Sequence, residues 1–219
     1  MRVEFQERLT ALEAGVQEQG AVCLRAVRGA VNALGTQDLE LCDEVIAFDD
    51  EIDARYHRIE KMVEEVLALE TPVAGDLRLV LAVLHCSIHL ERIGDQSVTI
   101  AKLTKLSAGL EQGANLVEGL KEMGDRVEEM LKIAMDSFAQ RDLERAQSLV
   151  ELDELVDRTN HKVVDDVLAM TGADSQEWGM RMVVVARCIE RIGDNAVDIG
   201  EQTAFLITGE FHQFADASH

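Results

Sequence analysis

One proline, one tryptophan, one tyrosine and an aromatic content of 4% leave this chain of 219 residues with little ring surface and almost no rigid punctuation. Few prolines let long helices run, and a core without rings must be packed by Leu, Val, Ile, Ala and Met, which together with abundant Glu favours helix over strand. Basic residues are scarce as well: 21 Lys and Arg face 42 Asp and Glu, a formal net charge of −21. A field of that sign repels phosphate backbones and anionic headgroups, which argues against nucleic acid as a partner. Long apolar runs are missing: nothing approaches the roughly 18 residues that span a bilayer, and the most apolar stretch, 77–90, is interrupted by Arg78 and His85. The N-terminal MRVEFQERL is too polar and acidic for a signal peptide. Cys23, Cys42, Cys86 and Cys188 form no C-x-x-C pair and read as buried thiols of a reducing compartment. The expectation is a cytoplasmic protein with no direct membrane insertion, reaching the inner face of the membrane only through partners.

Catalytic signatures are also absent. There is no G-x-S-x-G, no glycine-rich phosphate loop and no H-E-x-x-H, and no histidine has a Glu three residues before it, as ferritin-like di-iron helices require.

What is present occurs twice. LERIGDQSVTIA at 90–101 returns as IERIGDNAVDIG at 189–200, and QDLELCDEVIAFDDEID at 37–53 returns as RDLERAQSLVELDELVD at 141–157. Asp49, Asp53 and His57 pair with Asp153, Asp157 and His161 at one constant offset. Glu91 and Asp95 pair with Glu190 and Asp194 at a shorter one, so the second copy is shorter between its second and third segments. The chain is a tandem duplication. Each copy divides into three helical patterns, 5–34, 38–69 and 72–106, then 116–139, 143–170 and 175–208. Gly35 suits a helix end, Thr71 with Pro72 a helix start, and Asp174 with Glu177 a capping box. The fold expected is all-α: six long helices as two similar three-helix bundles, 1–108 and 109–219.

The acids fall in rows. At 100° per residue Glu91 and Asp95 lie within about 40° of each other, inside the apolar stripe that carries Leu77, Val80, Leu84 and Ile88. Asp49 and Asp53 border the stripe of the preceding helix, where a lone carboxylate is ordinarily just solvated. Two facing rows of acids repel unless protons, basic side chains or metal ions intervene. Oxygen-only donors at i, i+4 suit hard or borderline cations such as iron, manganese, magnesium or zinc. Gly94 and Gly193, each directly before the second acid, allow either tight helix packing or room for an ion. The histidines are weaker candidates: His85 and His89 read as a packed pair, and His57 and His161 stand one turn beyond an acid.

Two E-R-I-G-D helices, each preceded by a D-x-x-x-D helix, together with the lead-in residues Pro72, Ala74, Asp76, Leu77 and Arg78, resemble the PhoU family of phosphate-uptake regulators across almost the whole chain. The resemblance implies multinuclear iron or zinc clusters on these acids, here Asp49, Asp53, Glu91 and Asp95 in the first copy and Asp153, Asp157, Glu190 and Asp194 in the second. It also implies a non-enzymatic negative regulator of the phosphate-starvation response, in contact with a membrane histidine kinase and the ATPase of the phosphate transporter. A carboxylate-bridged metal-storage protein or metalloenzyme is the alternative, and a homodimer through residual apolar stripes stays open. The second copy departs from the first in having Asp198 where the first has Thr99, which suggests more metal there, and in lacking the lead-in motif.

Overall fold

The computed structural model describes residues 2–214, apart from the side chains of Arg2 and Asp174. Every regular element among them is a helix: α1 (Arg2–Thr36), α2 (Leu39–Glu70), α3 (Ala74–Leu106), α4 (Ala114–Gln140), α5 (Leu143–Gln147), α6 (Leu149–Leu168) and α7 (Ala173–Thr208). The six expected helices are all present. The seventh label arises because the counterpart of α2 is interrupted at Ser148, whose backbone stays right-handed at φ −66° and ψ −13°.

Helix starts follow side-chain chemistry in both copies. Asp38 accepts from the Glu40 and Leu41 N–H groups, and Asp142 accepts from that of Arg145, each satisfying donors that have no partner within the helix. Helix ends depart from expectation. Gly35 lies inside α1, and Gln37 takes the left-handed position at φ 54°. Gly35 serves packing instead, because a Cβ there would stand 2.9 Å from Lys121 Cδ of α4. Thr71 does not begin α3; it is the left-handed cap of α2, and α3 opens after Val73. Pro72 explains this, since it disfavours helical backbone at the residue before it and forces α2 to stop. Asp174 does not open α7 as the expected capping box requires: the helix starts after Gly172, which puts Asp174 inside its first turn.

Two cross-repeat contacts join the halves, α3 against α7 and α1 against α4, while α2 packs only on α1 and α3 and the α5–α6 rod packs on α4 and α7. A central layer of four helices therefore carries one outer helix on each side. The junction is pseudo-twofold. A Cβ on Gly20 would meet Met135 and a Cβ on Gly124 would meet Val31, and these two pairs exchange under the repeat register. Leu12, Val16, Cys23, Val27 and Leu34 of α1 are buried, and so are their counterparts Leu116, Leu120, Val127, Leu131 and Phe138 of α4. Each such side chain contributes roughly 1.5–3 kcal/mol by leaving water. The buried apolar residues of all six long helices form one continuous core.

Candidate functional site

In the first copy the packing of α2 on α3 sets the acid rows beside each other. Gly94 makes the approach close: a Cβ there would lie 2.8 Å from Ile52 Cδ1. Glu91 is half-buried, and its carboxyl is pushed up by desolvation and then by Asp95, Asp53 and Asp49, with Arg92 opposing. Asp95 is pushed up by desolvation and by Asp49 and Asp53, with Lys102 opposing. Asp49 rises for the same reason, desolvation first and Asp53 second. Asp49, Asp53, Glu91 and Asp95 thus form one mutually repelling group with two opposing cations at its margin.

The second copy is built differently. Gly193 admits a carboxylate rather than a methyl: a Cβ there would stand 2.8 Å from Oδ1 of the buried Asp153. Glu190, also buried, is paired with Arg187 one turn earlier. Desolvation, Glu190, Asp157 and Asp198 push the Asp194 carboxyl up to about 6, against the pull of Arg187. Arg187 has no basic counterpart in the first copy, where Ile88 stands. Sequence reasoning missed it; the unmatched cation between the copies was the available signal.

Asp198 contacts the other repeat. His89 Nδ1 of α3 lies 2.9 Å from Asn195 Oδ1 and 3.2 Å from Asp198 Oδ2 of α7. Two acceptors on one ring nitrogen place the proton on Nδ1. Glu201, one turn further, is buried and accepts from the Phe214 N–H at 2.7 Å. The extra acids of α7 are thus engaged by a histidine and by the chain's own C-terminal segment, and Arg187 offsets Glu190. These contacts would compete with a cation for the extra acids of α7.

The other sequence candidates are peripheral. His57 is exposed beside Glu60 and Tyr56, and His161 is exposed. Exposed His85 has its pKa lowered by desolvation and by His89. Arg78 lies against Gly209 at the end of α7, so the lead-in motif ties the first copy to the close of the second. All four cysteines are buried and unbridged, with burial pushing their thiols up, which makes them poor nucleophiles.

The donor set is all carboxylate oxygen, which fits a hard cation, and Oδ1 of the buried Asp153 is packed against Gly193. Among the described residues, however, no three His, Cys, Asp or Glu side chains already stand close enough together to hold an ion. The rows supply charge and ligand chemistry; closure around a metal requires side-chain movement.

The PhoU domain family matches residues 16–104 and 120–203, one match on each copy. The chain belongs to the PhoU family. Its PhoU relatives include the phosphate-specific transport system accessory protein PhoU homologs of Clostridium acetobutylicum, 30% identical over 94% of this chain and 95% of that protein, and of Caulobacter vibrioides, 31% identical over 94% and 90%. Among solved structures, PhoU from Pseudomonas aeruginosa superposes with a TM-score of 0.90 at 28% identity, covering 94% of this chain and 100% of that one. The phosphate transport system regulatory protein PhoU from Streptococcus pneumoniae gives 0.86 at 29%, covering 95% and 99%. The PhoU fold read from the duplicated motifs is therefore the fold of solved family members. Among the described residues no helix is long and apolar enough to cross a membrane.

Proposed function

We propose that this PhoU-family chain is a non-enzymatic accessory regulator of a phosphate-specific transport system, acting in the cytoplasm. In this reading it represses the phosphate-starvation response by contacting a membrane histidine kinase and the transporter's ATPase. The observation that carries the reading is similarity to accessory PhoU proteins over 94% of the chain, with both acid-bearing repeats retained. The acidic surface of a molecule with net charge −21 suits basic patches on such partners, an attraction that weakens as salt rises. Asp49, Asp53, Glu91 and Asp95 in the first copy, and Asp153, Asp157, Glu190 and Asp194 in the second, would hold iron, zinc or another hard or borderline divalent ion. Bound there, a cation would supply positive charge that relieves the repulsion between α2 and α3 and between α6 and α7. The chain's own residues do the rest: Gly94 and Gly193 set the helix spacing, and Arg187 partly neutralises the second row.

The test is a phosphate-starvation reporter in a deletion strain grown with plentiful phosphate, run beside ferroxidase and phosphatase assays on metal-loaded protein. The expected result is a constitutively active reporter and no turnover. A normally repressed reporter together with metal-dependent turnover would overturn the proposal in favour of a metal-storage protein or metalloenzyme.

A further inference from the structure

A cleft of about 240 Å³ opens between α4 and α6 in the second repeat, and the first repeat explains why it exists. There, at the matching place between α1 and α2, Arg55 fills the space: it donates to Glu18 at 2.8 Å and to Glu51 at 3.0 Å. Ile59 closes the remainder, lying 3.4 Å from a Cβ built on Gly15. Under the register that pairs Asp53 with Asp157, the second repeat puts Thr159 for Arg55, Leu155 for Glu51 and Val163 for Ile59. A Cβ on Gly119, the counterpart of Gly15, meets nothing within 4 Å. Losing a long side chain and a methyl group leaves a hollow where the first repeat is solid.

The charge around that hollow is also changed. Arg126 replaces the buried Val22, and Arg158 replaces Ala54. With Lys162, which keeps the charge of its counterpart Arg58, they set three cations around one cleft in a molecule whose net charge is −21. Arg126 donates to Thr159 Oγ1 at 3.3 Å and to Glu122 at 2.6 Å, which aims its guanidinium along the cleft. Lys162 has no ion-pair partner among the described residues, and the Asn115 amide lines the mouth. Two acids, Glu122 and Asp166, also line the cleft, and Glu154 pairs with Arg158 at 3.4 Å from beside it. In the first repeat the same place holds Glu18 and Glu51 around Arg55, with Arg58 beside them; in the second Arg55 is gone, Arg126 and Arg158 are held by Glu122 and Glu154, and Lys162, in place of Arg58, carries the unpaired charge.

We propose that this cleft binds a small tetrahedral oxyanion of the phosphate or sulfate class, gripped by Arg126 with Arg158, Lys162 and Asn115 as further donors. The volume sits below the usual range of about 300–1,000 Å³ for organic ligands, which fits an inorganic ion or a small phosphomonoester. Guanidinium and ammonium groups are the donors that oxyanions accept best.

The test titrates the full chain with inorganic phosphate, and separately with sulfate, against sodium chloride at matched ionic strength, reading heat and melting temperature. At least one oxyanion should bind and raise the melting temperature beyond the chloride control. Arg126→Gln, checked for native helicity, should weaken binding about tenfold, which is 1.4 kcal/mol. The exposed Lys162→Gln should weaken it without touching the core, and Asp166→Asn, which removes a repelling charge, should tighten it. No effect beyond chloride, or the same affinity in Arg126→Gln, Lys162→Gln and Asp166→Asn, would overturn the site.

Discussion

Asp194 shows how one carboxylate reports on its surroundings. Its pKa is pushed from 3.8 up to about 6 by desolvation and by Glu190, Asp157 and Asp198. A group whose folded pKa is raised stabilises the fold while protonated; that contribution is complete below about pH 4 and is lost as pH rises through about 6. At pH 8 the charged group therefore works against folding. Asp194→Asn, which keeps the shape and removes the charge, is expected to raise stability at pH 8 in chelator by roughly 1 kcal/mol, a figure discounted because the carboxylate is solvent-exposed. The gain should vanish near pH 4. Urea unfolding at the two pH values checks this, and equal midpoints for the two proteins at pH 8 would refute it. The neighbouring glycine illustrates a related point. Gly94 and Gly193 look alike in sequence, yet the first faces Ile52 and the second the Asp153 carboxylate, so the same residue serves packing in one copy and an acid in the other.

The paired helix ends make the same contrast for elements. α1 and α4 close on residues in the left-handed region, Gln37 at φ 54° and Arg141 at φ 56°. Side chains other than Gly are uncomfortable there. Gln37→Gly is expected to stabilise by about 0.5–1 kcal/mol. Arg141→Gly should show no such gain, because Arg141 also bonds the Phe138 carbonyl and Glu13 of α1 and covers the Phe138 ring. Thermal denaturation of both variants decides it, and equal shifts would show that the tertiary contacts of Arg141 carry no weight. The aspartates that follow, Asp38 and Asp142, cap the next helices in the two copies alike, and a D-L-E signal at both places was readable from the chain itself.

For the molecule as a whole, duplication did not produce two independent units. α1 and α3 present buried faces to α4 and α7, and the apolar core runs through both repeats. His89 adds a polar contact across the same seam, to Asn195 and Asp198. A separated repeat would expose those faces to water, at about 25 cal/mol for every Å² of apolar surface. The intact chain should therefore melt in one cooperative calorimetric transition, and residues 1–112 expressed alone should be unfolded or self-associated. Two resolved transitions, with a monomeric and fully helical fragment, would contradict this.

Helix content, the tandem duplication, the existence of the six long helices and the identity of the acid rows were all legible from the chain. Each is carried by local chemistry: apolar spacing, caps, and a motif repeated in register. Tertiary structure alone decided what each acid faces. His89 engages Asp198 from the other repeat, and Glu201 holds the Phe214 N–H; neither pairing is contained in the spacing along one helix. Helix ends at Gly35 and Thr71 were misread because the close approach of Lys121 and the backbone demand of Pro72 outweighed ordinary capping preference. The union of two three-helix patterns into one core was likewise invisible, since a helix that is apolar nearly all round, like α3, does not say which neighbour will cover which side.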